Sequence, residues 1–272
     1  MTARQQRRWG AAAVGALLAA LHLGVAASEA ARGCPAEAVR IALPDLPAGE
    51  FLKGKGDRFA SPDPGHLVRE LREVEQRLGC RFELVRLPVV RMVREASAGQ
   101  FDLVVPTPEA MALAQGWLLP RSGDRTNLQL AVGHSSLSLF VLSTRADDLR
   151  TAWASDGRPK GSVGVVAGSV PAEHAKAAGW SAQTIQDFER GLAMLMLQRV
   201  DHVFAPALSL ADSEPVRSGE VVALLPPVLP VAYFPAATPA FGQRHPEFLR
   251  AFWRAACQAS LARRSDRPSC KP

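Results

Sequence analysis

Residues 65–106 read GHLVRELREVEQRLGCRFELVRLPVVRMVREASAGQFDLVVP, and this stretch decides the fold. Apolar residues recur at helical spacing over 67–78 opposite a charged face, which predicts an amphipathic helix. Gly79 has no Cβ and is suited to a left-handed cap that ends this helix. The short apolar runs at 82–87 and 101–105 predict strands on either side of a second helix.

The second helix is predicted to begin at Pro88, where a missing N–H costs nothing, and to end at Gly99. Helices that alternate with short apolar strands predict parallel strands with crossover helices on both faces of a sheet. Ligands of such sheets bind beyond the carboxyl ends of the strands. Arg91, Thr107 and Glu109 follow strand ends and are therefore candidate ligand-binding residues.

A long loop rich in Gly, Pro and charged residues is predicted over 45–64, directly after a first strand at 39–44. Long loops inside compact domains are often functional. Asp45 and Phe51 in this loop are therefore added to the candidate ligand-binding residues, and Phe51 could fold back over a site.

The rest of the chain predicts a second α/β unit with a similar order of elements. Strands are expected at 128–133, 137–143, 162–167, 184–186, 200–205, 221–225 and 231–237, and helices at 107–116, 147–154, 170–178, 187–196, 206–211 and 245–261. Thr107 is expected to cap the first of these helices and Asp187 a later one. No residue-level repeat accompanies the similarity, and 272 residues suffice for two lobes of ordinary size.

Residues 1–30 have the pattern of a secretory signal. An arginine-bearing start precedes an apolar run over 11–27, and small residues at 28 and 30 suit cleavage. A membrane anchor is the alternative, although the run is slightly short of the roughly 20 residues that span a bilayer. Lipidation at Cys34 is disfavoured because Arg32 occupies a position that requires a small residue.

The composition limits the classes of partner. Hydrophobic residues make up 47% of the chain and the net charge is +6. Cleavage of the leader would remove three positive charges and one negative charge, which leaves +4. No basic stripe with interleaved aromatic residues is present, so we expect no binding to nucleic acid.

All four cysteines lie in the part that would be exported, where disulfides are allowed. Cys34 precedes the first predicted strand and Cys80 the second, and adjacent parallel strands start at the same edge of a sheet. We therefore favour a Cys34–Cys80 bond, with Cys257 and Cys270 joining the tail to the last helix. Four free thiols or a metal site are the alternatives, but no close Cys or His spacing supports a metal.

Three motifs, LPVVRMVREASAGQFDLVVPTPEA, VGVVAGSV and FERGLAMLMLQRVDHVF, resemble bacterial extracellular solute-binding proteins of family 3. The resemblance covers roughly residues 39–261. It implies the type II periplasmic binding fold, an α/β fold of two lobes that are each a mainly parallel sheet flanked by helices. It also implies a first lobe of 34–139 plus 233–272 and a second lobe of 140–232, with the chain crossing between them twice.

The resemblance also indicates what this chain lacks. Family members usually carry an arginine that binds the α-carboxylate of the ligand, and Ala110 stands at that position. An aspartate usually binds the α-ammonium group, and Pro206 stands there. A methyl group cannot replace the bidentate guanidinium fork, so an ordinary α-amino acid is not the expected ligand.

Other candidate residues match the family motifs. Gly168 and Ser169 match a turn whose N–H groups and hydroxyl can hold an anionic or carbonyl oxygen, although Ser169 could instead only cap a helix. Arg91 and Thr107 also match family positions, with a solvated helix charge and a simple cap as their alternatives. Phe204, at the end of a second-lobe strand, completes the set.

The expected function is therefore that of a periplasmic solute-binding protein. It would be monomeric, without cofactor or metal, and would capture a small polar or anionic ligand for a membrane permease of the ABC type. No nucleophile elbow, HExxH motif, Walker loop or dinucleotide fingerprint is found in the sequence, so an enzyme is not expected. The alternatives are a dehydratase-like exported enzyme with Glu109 in its cleft, and a ligand-binding partner of a sensor or redox system.

Overall fold

The structure is a computed structural model that describes residues 33–46, 49–264 and 268–271. The predicted leader at residues 1–30 lies outside this range. Among the described residues, no helix has the length and apolar character needed to cross a membrane.

Strands and helices alternate along the described chain. The strands are β1 (Val39–Pro44), β2 (Gly54–Lys55), β3 (Arg58–Phe59), β4 (Phe82–Leu87), β5 (Leu103–Pro108), β6 (Arg121–Ser122), β7 (Arg125–Thr126), β8 (Gly133–Leu142), β9 (Ser162–Val166), β10 (Ser181–Ile185), β11 (His202–Pro206), β12 (Val221–Ala223) and β13 (Leu229–Ala237). The helices are α1 (His66–Leu78), α2 (Val89–Ser97), α3 (Glu109–Ala114), α4 (Ala146–Asp156), α5 (Val170–Ala177), α6 (Phe188–Met196), α7 (Ala207–Leu210), α8 (Glu214–Arg217), α9 (Pro239–Arg244) and α10 (Pro246–Ser260).

Two parallel units are joined by two antiparallel strands. The strand order is β10-β9-β11-β8-β13-β5-β1-β4, with β12 added against β8. β1 pairs in parallel with β4 and β5, and β9 pairs in parallel with β10 and β11. β8 and β13 pair antiparallel with each other, from Leu137 opposite Leu229 to Gly133 opposite Tyr233. We call the unit around β1 the first lobe and the unit around β9 the second lobe.

Each lobe buries both faces of its sheet. In the first lobe, α1 and α10 cover one face, where the rings of Phe82 and Phe252 lie 5.6 Å apart, and α2 and α3 cover the other. In the second lobe, α4 and α5 cover one face and α6 covers the other. The predicted two-lobed α/β architecture is therefore confirmed.

The elements of the opening stretch form as predicted, because each of them has a clear period and a clear end. Gly79 caps α1 in the left-handed conformation, with φ of 67°. Asp187 caps α6, since its side chain accepts a hydrogen bond from the backbone N–H of Arg190 at 2.7 Å.

Three local predictions are wrong. The run 128–133 is not a strand: it begins as a 3-10 turn over Leu128–Leu130, capped by the Asn127 side chain. Thr107 does not cap α3. It lies inside β5, and its hydroxyl donates to the carbonyl of Val104 at 2.7 Å. The 45–64 segment is not entirely loop, because β2 and β3 pair as a short hairpin within it.

The lobe boundaries stay a prediction. The predicted divisions at 139/140 and 232/233 fall inside β8 and β13, the two strands that pass from one lobe to the other.

The two disulfides are those favoured from the sequence. Cys34 bonds to Cys80, which joins the starts of the paired strands β1 and β4. Cys257 in α10 bonds to Cys270, which ties the tail to the last helix. No free cysteine remains.

We expect the two disulfides to contribute unequally to stability. The bonds close loops with sequence separations of 46 and 13 residues. Lost loop entropy in the unfolded chain then predicts losses of about 4 kcal/mol for Cys34→Ala/Cys80→Ala and about 3 kcal/mol for Cys257→Ala/Cys270→Ala. Urea unfolding of both double variants measures this, and a larger loss for the shorter loop would contradict it.

Candidate functional site

A cleft lies between the lobes where the carboxyl ends of their parallel strands face each other. Pro44 of β1 and Pro108 of β5 border it from the first lobe, and Pro206 of β11 from the second. This is the position at which open α/β sheets bind ligands.

The inner part of the cleft, which we call the inner chamber, is a cavity of about 110 Å³. Both lobes and both crossing strands contribute to its wall. The lining residues are Pro44, Leu46, Phe51, Leu52, Val89, Met92, Pro106, Pro108, Met111, Gly133, His134, Leu137, Ser169, Val170, Pro171, Phe188, Pro206, Leu208, Ser209, Val231, Tyr233 and Arg263. Most are aliphatic, aromatic or proline residues, so the chamber is predominantly apolar.

Proline at the strand ends removes hydrogen-bond donors from the chamber wall. Pro44, Pro106, Pro108 and Pro206 all line the chamber within β1, β5 and β11. Proline has no N–H. Backbone donors that could otherwise hold an anion are therefore absent at these four positions.

Tyr233 lines the inner chamber and is the only tyrosine in the sequence. It stands in β13, opposite Gly133 of β8, where the two crossing strands pair. Among the described residues its hydroxyl has no hydrogen-bond partner. Burial disfavours the phenolate and raises the pKa of Tyr233 to about 12.

The cleft widens outward into a polar space of about 420 Å³, which we call the outer mouth. It shares Phe51, Gly133, His134, Leu208 and Arg263 with the wall of the inner chamber, so the two spaces are adjacent. The lining residues are Gly49, Glu50, Phe51, His66, Gly133, His134, Leu208, Ala211, Asp212, Arg263 and Arg264.

Arg263 stands at the junction of the two spaces and is held rigidly. Its Nε and Nη2 each donate to one carboxylate oxygen of Glu70 at 3.0 Å, and Nη2 also donates to the carbonyl of Val132 at 2.9 Å. The guanidinium carbon lies 4.6 Å from the centre of the Phe51 ring. The remaining nitrogen, Nη1, has no hydrogen-bond partner within the described residues.

Arg264 lies beside Arg263 in the segment that the Cys257–Cys270 bond closes. Its side chain donates to the carbonyl of Ala131, and its Nη2 lies 3.3 Å from Nδ1 of His134. The C-terminal tail therefore brings two arginines to one wall of the cleft.

The structure places two of the predicted ligand residues on the cleft wall: Phe51 and Ser169 both line the inner chamber. Ser169 also caps α5, since its hydroxyl accepts from the N–H of Ala172 at 3.3 Å and donates to the carbonyl of Val166 at 2.6 Å. The two readings of this serine, as ligand contact and as cap, are compatible.

The other candidates do not line the inner chamber. Asp45 accepts a hydrogen bond at 2.8 Å from Arg86, whose side chain is fully buried. Arg91 is exposed and pairs with Glu95 at 2.6 Å on the same helix. Thr107 is buried against Val104, Phe204 packs against the ring of Trp180 in the second-lobe core, and Glu109 begins α3. Their roles as ligand residues stay predictions.

Gly168 lies where the lobes touch across the cleft. Its φ is 69°, and a Cβ on it would lie 2.9 Å from Cγ2 of Val90 in α2. A second contact joins Gly49 of the first lobe to Asp212 of the second. Leu46 packs against the cores of both lobes. The structure is therefore that of lobes in mutual contact.

Sequence reasoning missed Tyr233, His134 and Arg263. Tyr233 lies in a segment predicted only as a crossing between lobes, and His134 lies between the strands predicted at 128–133 and 137–143. Arg263 belongs to the charged tail, and nothing in the local pattern directs that tail into the cleft.

We expect Tyr233 to ionise near pH 12 in the folded protein and near pH 10 in the unfolded chain. Because the pKa of Tyr233 is higher in the folded protein than in the unfolded chain, its contribution to the free energy of unfolding is fully present below pH 10. That contribution is lost as the pH rises through 12. The ultraviolet absorbance of tyrosinate reports this residue alone, since the chain has no other tyrosine. A folded protein that titrates like the urea-unfolded one would contradict the burial of its hydroxyl.

We expect Gly168→Ala to separate the lobes. Gly179→Ala is the matched control, because Gly179 has φ of 67° and open space around its Cβ position. Both variants lose about 1 kcal/mol of stability through backbone strain. Only Gly168→Ala should increase the radius of gyration in small-angle scattering, and adding Val90→Ala should reverse the increase. An equal increase in the control would rule out the contact as the cause.

Comparisons with known proteins agree with this architecture. No protein-family model and no curated protein matches the sequence. The ligand-binding core of GluR0 from Nostoc punctiforme, in complex with L-glutamate, is 16% identical with a TM-score of 0.61, over 84% of this chain and 99% of that one.

Two other solved structures are similar to the same extent. Truncated, arginine-bound ArgBP from T. maritima is 14% identical with a TM-score of 0.56, over 86% of this chain and 98% of that one. AncCDT-1, an ancestral amino acid-binding protein described as a precursor of cyclohexadienyl dehydratase, is 16% identical with a TM-score of 0.55, over 84% and 89%.

The resemblance to solute-binding proteins of family 3 is thus confirmed at the level of the fold. At these identities the likeness concerns the fold alone. The chain has the type II periplasmic binding fold, with two α/β lobes joined by two crossing strands.

Proposed function

We propose that this chain is an exported solute-binding protein that captures a small molecule between its lobes. One observation carries the proposal: a chamber of about 110 Å³ at the strand carboxyl ends has walls from both lobes and from both crossing strands. A ligand in this chamber would contact both lobes at once. It would therefore stabilise the closed arrangement by its differential affinity for that arrangement.

The chemistry of the chamber supports binding rather than turnover. Among the described lining residues of the inner chamber there is no Asp or Glu, and Glu109, the carboxylate that a dehydratase-like site would use, lies elsewhere. Tyr233 keeps its proton at neutral pH because burial raises its pKa to about 12. It is suited to donating a hydrogen bond and not to acting as a base.

The inner chamber adds an apolar part to the ligand expected from the sequence. Ala110 is exposed and does not line the chamber, while Pro206 does line it, so neither amino-acid hook is restored at its position. The small polar or anionic ligand expected between the lobes stays a prediction. The inner chamber favours an apolar group, since a polar one would lose its hydration without replacement.

Export and a membrane partner belong to the same proposal. Two disulfides are typical of an oxidising compartment, which agrees with the leader predicted at residues 1–30. A permease that accepts the ligand would contact the rims of the lobes, and closure would give it a recognisable loaded state.

We expect mass spectrometry of the natively purified protein to show one bound small molecule that denaturation releases. Removing it should increase the radius of gyration in small-angle scattering. Ser209→Trp should abolish capture because Ser209 lines the chamber, whereas Ser218→Trp should not, because Ser218 is an exposed residue outside both spaces. If neither variant changes capture, or no molecule is bound and the radius never changes, the proposed function is wrong.

A further inference from the structure

We propose that the ligand is a small monocarboxylate, with its apolar body in the inner chamber and its carboxylate on Arg263. This inference rests on the proposed function and specifies its ligand. It assigns the binding of the charged group to Arg263 in the C-terminal tail and not to position 110, where Ala110 provides no guanidinium.

The size of the inner chamber limits the body of the ligand. An engineered apolar cavity of about 150 Å³ takes up benzene. The inner chamber measures about 110 Å³ and is similarly apolar, so it suits a body of about four to six carbons. The larger outer mouth leaves room for a polar end.

Arg263 is prepared to accept a carboxylate. Glu70 and the carbonyl of Val132 occupy Nε and Nη2 and fix the plane of the guanidinium. Both N–H groups of Nη1 remain for a ligand, and a charge-assisted hydrogen bond from a fixed donor is among the strong ones. Because the side chain is only 22% exposed, water screens this interaction incompletely.

Gly133 leaves a space between Arg263 and Tyr233. Nη1 of Arg263 lies 3.8 Å from the position that a Cβ on Gly133 would occupy. Gly133 pairs with Tyr233 across the antiparallel ladder, and directly opposite residues project their Cβ atoms from the same face. The guanidinium and the phenol therefore flank a gap that has no side chain of its own. A carboxylate there could accept from both groups.

The charges at the mouth agree with one negative group on the ligand. Arg263 and Arg264 form an arginine wall where the chamber opens. The acidic residues of the mouth have other partners: Glu50 accepts from Lys53 at 2.6 Å, and Asp212 lies against Gly49. An α-amino acid would also place its ammonium group beside this wall. The described lining of the inner chamber has no carboxylate to pair with that group, so the loss of its hydration would not be compensated.

Calorimetry with four probes tests the assignment. We expect hexanoate to bind, and hexanamide to bind at least about tenfold more weakly because it lacks the charge-assisted bond. Acetate should be weaker still, since it leaves the chamber unfilled, and hexylamine should not bind. Equal affinity for hexanoate and hexanamide, or preference for hexylamine, would overturn the proposal.

Variants locate the carboxylate. Arg263→Met/Glu70→Met removes both partners of the ion pair, so no buried charge is left alone, and it should reduce hexanoate affinity about tenfold or more while hexanamide affinity stays within about twofold. Arg77→Met/Glu73→Met is the matched control, since this pair joins exposed side chains of α1 outside the cleft. It should bind hexanoate as the parent does. A loss of the same size in the control would refute the role of Arg263.

Two kinds of failure can be told apart. If hexanoate does not bind but a different molecule copurifies and closes the lobes, the proposed ligand class is wrong and the proposed function stands. If no probe binds, nothing copurifies and the radius of gyration never changes, both are wrong. If Arg263→Met/Glu70→Met still binds hexanoate as the parent does, the ligand class is right, but the assignment of the carboxylate to Arg263 is wrong.

Discussion

The pairing of β8 with β13 is the constraint on which the rest of the molecule depends. Each strand belongs to one lobe at one end and to the other lobe at its other end, and antiparallel hydrogen bonds from Leu137–Leu229 to Gly133–Tyr233 hold them together between the lobes. The pairing sets the lobes side by side with their strand ends facing. It also places Tyr233 and His134 where those ends meet, so the ladder that joins the lobes supplies two polar side chains of the cleft.

Much of the fold could be predicted because its signals are local. The helical period of 67–78, the glycine at 79 and the prolines that begin helices act within a few residues, and the structure has these elements where the sequence indicates them. Predictions from local sequence were wrong where a polar side chain formed a hydrogen bond that the pattern does not indicate. Asn127 caps a 3-10 turn in place of a strand at 128–133, and the Thr107 hydroxyl bonds to Val104 inside β5.

The cleft was predicted in position but only partly in composition. Strand ends identify the rim. Phe51 was predicted from the long loop after β1 and Ser169 from a family motif, and both line the chamber. The arginine wall could not be predicted, because Arg263 reaches the cleft through contacts with Glu70 and Val132, which lie more than a hundred residues away in sequence. Such long-range contacts leave no periodic pattern. The apolar lining consists largely of prolines and aliphatic residues from separate parts of the chain. None of them has a distinctive sequence pattern, and they form a site only because the two lobes bring them together.

The packing of α10 on α1 has a consequence for biosynthesis. The first-lobe core joins residues 39–105 to residues 237–259, so its hydrophobic face stays open until residues 237–259 have left the ribosome. Contacts of such separation are slow to form, because the intervening chain must be ordered before they contribute. A nascent molecule therefore remains unfolded for longer than one built from sequential units.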